Sequence, residues 1–229
     1  MSDFRQGENL RIGKYVVIEK DCEIGNNVTI EDFVVLKNGT IVGDDCTIHA
    51  GAKIGTPTFT LTSEKGKRKR IGPKGVAILE KGVDIGYNTD IQRGLERNTV
   101  IGENTFINNL CNIGHDVQIG RDCTIGLGTR MSGFTEIGEK TSIAPGVTIL
   151  NRVKIGRNVF VGIGSLVLHD ISDHTKVVGR PAVELNIYKH EKNALKKLLN
   201  LKGNTSPIAT RKGRWSRRIR RVIYWIRPQ

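Results

Sequence analysis

The chain has 229 residues, of which 38% are hydrophobic, and a formal net charge of +13. This length allows one or two domains with a sizeable core, and the 27 glycines favour short strands and turns over a helical bundle. The first residues, MSDFRQGENL, lack the basic start and apolar stretch of a signal peptide, and no apolar run is long enough to span a membrane. A cytoplasmic location is therefore expected.

Large aliphatic residues recur at every sixth position along most of the chain. They occupy 22 positions, namely Ile12, Ile18, Ile24, Ile30, Leu36, Val42, Ile48, Ile54, Ile85, Ile91, Ile101, Ile107, Ile113, Ile119, Ile125, Met131, Ile137, Ile143, Ile149, Ile155, Val161 and Val167. A helix needs a period near 3.6 and a lone strand a period of 2. A strict period of six, often with glycine after the aliphatic residue, therefore indicates a solenoid of short strands and turns.

From Val16 to Ala52 and from Thr99 to Ser165, the position two before each aliphatic residue holds only Val, Thr, Ala, Ser or Cys. All four cysteines, Cys22, Cys46, Cys111 and Cys123, lie in this position. Their spacing matches no CxxC metal site, and cytoplasmic proteins rarely form disulfides. We therefore expect them to be small, buried packing residues.

Two interruptions of the repeat predict loops, which in solenoids often lie on the binding face. The first separates Ile54 from Ile85 and predicts an inserted loop at about residues 56–84, rich in Lys and Arg. The second adds four residues between Ile91 and Ile101.

The hexads, together with the stretch DIQRGLERNTVIGENTFINNLCNIGHDVQIG from Asp90 to Gly120, resemble the hexapeptide-repeat acyltransferases. The similar branch contains the lipid A UDP-acylglucosamine N-acyltransferase and N-acetyltransferases of nucleotide-linked amino sugars. The resemblance covers roughly residues 8–183. It implies an all-β fold, a left-handed parallel β-helix with three hexads per coil, hence about seven coils, and a homotrimer with active sites between subunits.

Two features depart from the lipid A branch. That enzyme has an N-terminal uridine-binding domain, whereas the repeat here begins at Ile12. Arg152 occupies the position of that enzyme's second histidine. We therefore expect a smaller enzyme that acylates a different amino sugar.

His115 is the candidate catalytic residue. It lies two residues after the inward-facing Ile113, where the chain turns outward, so its ring should reach a ligand on the solenoid surface. N-acyl transfer from a thioester needs a base for the attacking amine, and histidine titrates near neutral pH. The resemblance implies that His115 is this general base, with Asp116 or Asn109 orienting the ring. The alternative is an ordinary surface histidine.

The acyl donor, acetyl-CoA, is expected along the coils after His115 and at the exit segment 162–182. The candidate residues for donor binding are Gly133, Asn151, Gly164, Lys176 and Arg180. The candidates for binding the nucleotide-linked amino sugar are Phe59, Arg68, Arg93 and Asn109. Alternatively, the basic loop is simply solvated, and Phe59 anchors its own loop. His49 is expected to pack at a corner, and no metal is expected because His115 lacks histidine partners at hexad-related spacing.

The repeat stops after Pro181, so we predict a β-helical domain over residues 1–183 and a second region over 184–229. Residues 189–229 carry 13 Lys or Arg and one acid. The segment VELNIYKHEKNALKKLLNL predicts a helix, and RWSRRIRRVIYWIRPQ predicts a basic amphipathic helix. Residues 214–227 suit an anionic membrane surface, which would place the protein at the inner face of the membrane. The alternatives are a helix docked on the trimer or a disordered tail, and nucleic acid is not expected.

These features predict an N-acyltransferase that transfers an acetyl group to the amine of a nucleotide-linked amino sugar in bacterial surface polysaccharide synthesis. One alternative is a sugar acyltransferase that depends on an acyl carrier protein (ACP). Another is a non-catalytic β-helical scaffold with a membrane-binding tail.

Overall fold

The computed structural model describes residues 4–64, 66–179 and 184–201. The chain divides into two compact units, Met1–Arg180 and Pro181–Gln229. The first is a left-handed β-helix. In the second, the helix α1 spans Leu185–Leu201, as the sequence predicted. Neither this helix nor any other helical part of the described chain is long and apolar enough to cross a membrane. The predicted basic segment 214–227 lies outside the described residues, as does Arg180.

Three parallel sheets form the three faces of the β-helix. Face 1 contains β1 (Arg5–Gln6), β4 (Glu23–Ile24), β7 (Ile41–Val42), β12 (Ala77–Leu79), β15 (Thr99–Ile101), β18 (Gln118–Ile119), β21 (Glu136–Ile137) and β24 (Lys154–Ile155). Face 2 contains β2 (Arg11–Ile12), β5 (Thr29–Ile30), β8 (Thr47–Ile48), β13 (Asp84–Ile85), β16 (Phe106–Ile107), β19 (Thr124–Ile125), β22 (Ser142–Ile143), β25 (Phe160–Val161) and β27 (Lys176–Val177). Face 3 contains β3 (Val17–Ile18), β6 (Val35–Leu36), β9 (Lys53–Thr56), β14 (Asp90–Gln92), β17 (Asn112–Ile113), β20 (Arg130–Met131), β23 (Thr148–Ile149) and β26 (Leu166–Val167).

The period of six arises because each strand presents one aliphatic side chain to the interior. Ile91 pairs with Ile113, and Ile113 pairs with Met131, so equivalent positions stack directly from coil to coil. All three side chains are buried, and each such side chain contributes about 1.5–3 kcal/mol when it leaves water. The repeat therefore builds one continuous core along the axis.

The small position before most strands is also buried, and several of its side chains form hydrogen bonds to main-chain oxygens at the corners. The Sγ atoms of Cys111 and Cys123 donate to the carbonyl oxygens of Gly126 and Gly138, each at 3.2 Å. The Thr105 hydroxyl makes the same kind of bond to Gly120, at 2.9 Å. All four cysteines are free and buried, as predicted.

The predicted count of about seven coils is too low. Within residues 4–64 and 66–179, faces 1 and 3 have eight strands each and face 2 has nine. The additional strands are β1, which ends in the polar Gln6, β12, which lies inside the first interruption, and β27, which follows an irregular connection. β1 and β27 depart from the strict aliphatic pattern, whereas β12 supplies Leu79, which continues it.

The first insert is shorter than the predicted loop at 56–84. β12 pairs with β7 and β15 on face 1, so the coil is already re-formed at Ala77. Between β9 and β12, the chain forms an antiparallel hairpin of β10 (Leu61–Glu64) and β11 (Lys67–Arg70). Leu79 stands six residues before Ile85 and is fully buried, so the repeat resumes one step earlier than predicted.

Candidate active site

One corner of the β-helix carries both inserts and His115. We call it the catalytic corner: it comprises the turns that lead from face 3 to face 1. The first insert lies between β9 and β12, the second lies between β14 and β15, and His115 lies in the next turn, between β17 and β18. The corner therefore has loops on the coils before His115 and tight turns on the coils after it.

Asp116 orients the imidazole of His115. Nδ1 of His115 lies 2.7 Å from Oδ2 of Asp116. The His115 side chain is 17% exposed, while that of Asp116 is completely buried. Of the two orienting residues that the sequence left open, the structure thus selects Asp116. The side chain of Asn109 instead accepts the main-chain N–H of Tyr87 at 2.9 Å.

The second insert is a cradle for the Asp116 carboxylate. Its main-chain N–H groups at Leu95, Glu96 and Arg97 donate to the two carboxylate oxygens at 2.8, 2.9 and 2.6 Å. The turn is tight, because a Cβ at Gly94 would lie 1.4 Å from the carbonyl oxygen of Arg97. Asp116 has a left-handed φ of 62°, a conformation that aspartate tolerates better than most residues.

The cradle keeps Asp116 ionised. Burial alone raises the pKa of this carboxyl, but the hydrogen bonds from the Arg97 N–H, His115 and the Leu95 and Glu96 N–H groups outweigh burial and lower the pKa below its ordinary value. An ionised carboxylate can only accept hydrogen bonds. It therefore favours the tautomer of His115 with the proton on Nδ1, which leaves the Nε2 lone pair free for a ligand.

The imidazole lies against the next turn of the catalytic corner, and that turn contacts the one after it. A Cβ at Gly133, one coil later, would come within 2.5 Å of Cε1 and 2.6 Å of Nε2 of His115. The ring of Phe134 meets the imidazole edge to face at 5.1 Å, and Cζ of Arg152 lies 4.3 Å from the centre of the Phe134 ring. Gly133 was predicted to make room for the donor, but the nearest occupant of that space is the His115 ring itself.

The hairpin of the first insert presents exposed arginines beside an aromatic side chain. Arg68 and Arg70 pair with Ser63 and Leu61 across the hairpin, so both arginines project from the same side. Cζ of Arg70 lies 4.5 Å from the centre of the Phe59 ring, which is 68% exposed. Phe59 thus contacts its own loop, and its predicted role in acceptor binding stays a prediction, as does that of Arg68.

Arg93 holds the base of the first insert. Its Nε donates to the carbonyl oxygen of Gly75 at 2.8 Å, and its Nη1 donates to that of Asn38 at 3.2 Å. These bonds connect the second insert to the end of the first and to an earlier coil. The two hydrogen bonds occupy two sides of the guanidinium. Arg93 therefore positions the base of the first insert, a role that the sequence did not reveal.

The remaining candidates are spread over different parts of the β-helix. Asn151 lies in the catalytic corner, two coils after His115, and is exposed. Asn109 and Gly164 lie in the turns from face 2 to face 3, and Lys176 lies on β27 of face 2. Their predicted roles in binding stay untested. In the described part of the chain, no three metal-ligating side chains converge.

His49 lies in a different corner, between faces 2 and 3. Its Nδ1 is 3.0 Å from Oε1 of Glu31, its Nε2 is 3.2 Å from Oδ1 of Asp84, and its ring packs against Tyr87 at 4.9 Å. Both nitrogens are thus engaged by carboxylates. This arrangement fits the predicted packing role, since both ring nitrogens face neighbouring carboxylates, in contrast to those of His115.

The sequence model of the bacterial transferase hexapeptide, with six repeats, matches residues 7–38, 21–56 and 98–133. The last match includes His115 and Gly133. These segments of the β-helix therefore contain hexapeptide repeats of this type. The repeats place the candidate base in a turn between faces, on the coil that follows the two inserts.

Curated relatives of this hexapeptide-repeat protein are named UDP-3-O-acylglucosamine N-acyltransferase. That of Methylorubrum populi is 44% identical over 88 residues, which is 38% of this chain and 25% of the relative. That of Rhizobium meliloti is 48% identical over 79 residues, which is 34% of this chain and 22% of the relative. The chain therefore matches about a quarter of the length of these relatives.

Solved structures share the fold. LpxA of Acinetobacter baumannii aligns with a TM-score of 0.72 at 20% identity, covering 83% of this chain and 73% of that chain. The UDP-N-acetylglucosamine acyltransferase of Francisella novicida aligns with a TM-score of 0.72 at 20% identity, covering 86% and 74%. The relatives in both comparisons are acyltransferases, and the likeness of these structures supports the left-handed β-helix.

Sequence reasoning missed the carboxylate cradle and the role of Phe134. The interruption immediately before the His115 coil was the available signal for the cradle, since an insert in a solenoid has to contact something beside its own coil. Phe134 follows a glycine one coil after His115. Since one coil has 18 residues, its number alone places it next to the turn that contains His115 and Asp116.

Proposed function

We propose that this hexapeptide-repeat protein transfers an acyl group from a thioester to the amine of a nucleotide-linked amino sugar. The observation that carries the proposal is the pair of His115 and Asp116 in the catalytic corner: Nδ1 of His115 faces the carboxylate, and Nε2 makes no hydrogen bond to the described residues. The names of the relatives support an amine acceptor on a UDP-linked glucosamine derivative. We propose acetyl-CoA as the donor and surface polysaccharide synthesis as the setting.

Each step has a residue in the catalytic corner. Nε2 of His115 accepts a proton from the amine as its nitrogen attacks the thioester carbonyl, which forms the C–N bond. The imidazolium that results is stabilised by the Asp116 carboxylate, in the manner of a catalytic dyad. When the C–S bond breaks, His115 returns the proton to the departing thiolate. One amide and one thiol are formed, and the enzyme is regenerated.

The two sides of the catalytic corner suit the two substrates. The coils before His115 carry the first insert, whose exposed guanidinium groups of Arg68 and Arg70 can attract the anionic acceptor to the corner. The coils after His115 carry tight turns, along which an extended donor arm can lie. We propose that a homotrimer completes the site with a neighbouring subunit, and that the protein acts in the cytoplasm or at the inner face of the membrane.

The test measures thiol release from acetyl-CoA with a panel of UDP- and dTDP-linked amino sugars. Release that depends on one acceptor and falls by about 100-fold or more in His115→Ala supports the proposal. His49→Ala is the matched control, because that histidine is also paired with carboxylates but lies in another corner. No release with acetyl-CoA, but release with acyl-ACP, changes the donor. No release with either donor favours the alternative of a non-catalytic β-helical scaffold.

A further inference from the structure

Arg152 belongs to a column of residues that begins beside His115. Asp116, Phe134 and Arg152 follow one another at intervals of 18 residues, and all three have left-handed φ angles, of 62°, 60° and 63°. The main-chain N–H of Phe134 donates to the carbonyl oxygen of His115 at 3.0 Å, and that of Arg152 donates to Gly133 at 3.1 Å. The three residues therefore occupy equivalent places on successive coils.

The Phe134 ring contacts both an imidazole and a guanidinium. The His115 ring meets it at 5.1 Å with an interplanar angle of 89°, and Cζ of Arg152 lies 4.3 Å from its centre. A guanidinium is attracted to the face of an aromatic ring, and this contact restricts the positions that the long side chain can adopt. Arg152 is thus held near the base rather than free in solvent.

The Arg152 guanidinium forms no ion pair with a carboxylate in the described part of the chain. Within residues 4–64 and 66–179, none of the ion pairs includes Arg152, although Arg97, Arg121 and Arg157 are all paired with carboxylates. The side chain is exposed. A guanidinium that stacks on a ring keeps the N–H groups of its edge available, and these match the oxygens of a phosphate in a bidentate manner.

The distance between the Arg152 guanidinium and the His115 imidazole determines which substrate phosphate can contact the guanidinium. Strands stacked in a sheet lie about 4.8 Å apart, so groups two coils apart are separated by roughly 10 Å. Since the two measured contacts share the Phe134 ring, the guanidinium cannot be farther than this from the imidazole. In a nucleotide-linked amino sugar, the same pyranose ring carries the amine and the first phosphate, so both lie within this distance of each other. In acetyl-CoA, the whole pantetheine arm separates the thioester from the phosphates. That arm is longer than the distance between His115 and Arg152.

We propose that Arg152 binds the phosphate on the anomeric carbon of the acceptor and so places the sugar amine against Nε2 of His115. This inference rests on the proposed function and names the acceptor's glycosyl phosphate as the group recognised. Phe134 is then a positioning residue: it keeps the guanidinium within the distance that an amino sugar and its phosphate span.

The kinetic test compares Arg152→Ala and Arg152→Lys with Arg121→Ala, an exposed arginine in the corner between faces 1 and 2. In Arg152→Ala, the KM for the amino sugar nucleotide should rise roughly 10- to 100-fold, with the KM for acetyl-CoA unchanged. Arg152→Lys should lie in between, because lysine keeps the charge but loses the planar fork. Phe134→Leu should raise the same KM by a smaller factor. An unchanged acceptor KM in Arg152→Ala, or a raised donor KM instead, overturns the inference.

A binding test separates this inference from the proposed function. Calorimetric titration of the full chain with UDP, and with inorganic pyrophosphate, needs no turnover. Weaker binding of either probe to Arg152→Ala, but not to Arg121→Ala, supports the anion site even if no acceptor is acylated. Equal binding to both variants, or no binding to the wild type, overturns it. If the wild type turns over no acceptor with either donor, the proposed function fails, and this titration alone decides the role of Arg152.

Discussion

The imidazole of His115 lies in the space that a side chain at Gly133 would need. A Cβ on Gly133 would stand 2.5 Å from Cε1 and 2.6 Å from Nε2 of the ring, both well inside van der Waals contact. Phe134 and Asp116 restrain the ring on other sides. The absence of a side chain at Gly133 therefore determines where the candidate base can lie.

Gly133→Ala should lower kcat by about tenfold or more, because a misplacement of the base by a fraction of an ångström weakens proton transfer. The loss of stability should be small, since the φ of Gly133 is not in the left-handed region. Gly72→Ala is the control: a Cβ there meets no atom within 4 Å, and it should be silent. Acyl transfer and thermal unfolding of both variants check this, and an active Gly133→Ala would show that the ring is free to move.

Asp116→Asn should reduce kcat by roughly 100-fold or more. The amide cannot carry the charge that stabilises the imidazolium, and its NH2 group would face one of the three N–H donors of the cradle. Asp122→Asn is the control, since Asp122 also has a left-handed φ, of 56°, but lies in another corner. Steady-state measurement of kcat for the two variants tests this prediction. Equal activity would remove Asp116 from the mechanism.

The contribution of Asp116 to stability should depend on pH. Because its native pKa is lowered from 3.8, folding favours the ionised form, and this contribution is fully present above the ordinary pKa of an aspartate. It is lost as the pH falls through the native pKa. The difference in free energy of unfolding between wild type and Asp116→Asn, from urea titrations at pH 7, 5 and 3, should therefore shrink at the lowest pH. A constant difference would contradict the assigned shift.

The four cysteines should resist alkylation in the native protein. Burial raises the pKa of each thiol, that of Cys46 to about 11, so little thiolate exists near neutral pH and the reagent has no access. Mass spectrometry after brief treatment with iodoacetamide at pH 8 should find no modified cysteine in the native chain and all four modified in urea. Rapid modification of any one would show that its coil opens.

Arg93 and Arg68 should differ in what their removal affects. Arg93→Ala loses two hydrogen bonds to main-chain oxygens and should lower the free energy of unfolding by about 1–3 kcal/mol. Arg68→Ala removes an exposed side chain of the hairpin and should change stability by less than about 0.5 kcal/mol, while raising the acceptor KM. Urea titration and kinetics separate the two effects. An equally stable Arg93→Ala would argue against its positioning role.

Much of the fold was predictable because the hexad is a local rule. An aliphatic residue such as Ile113 has the same surroundings in its coil as Ile119 has in the next hexad, so the pattern alone predicts strands, corners and a core. The coil count failed where the rule weakens: Gln6 is polar, and Val177 follows an irregular connection. The sequence also predicted His115 at a corner, because a turn two residues after an inward aliphatic residue must point outward.

The arrangement around His115 depends on contacts between coils, which spacing along the chain does not specify. The cradle joins Asp116 to N–H groups about 20 residues earlier, and those groups converge only because the second insert folds back on the next coil. The choice between Asp116 and Asn109 as the orienting residue likewise required the side-chain directions. These features are tertiary, since each depends on an atom in a different turn.

The sequence by itself determined the period, the identity of the core positions and the place of the candidate base, because each follows from the alternation of inward aliphatic residues and turns within six residues. Only the tertiary structure decided which carboxylate serves His115, why position 133 has no side chain, and that Phe134 joins His115 to Arg152. The physical reason is the stacking of coils: it brings residues 18 apart into contact, and those contacts fix the geometry of the catalytic corner.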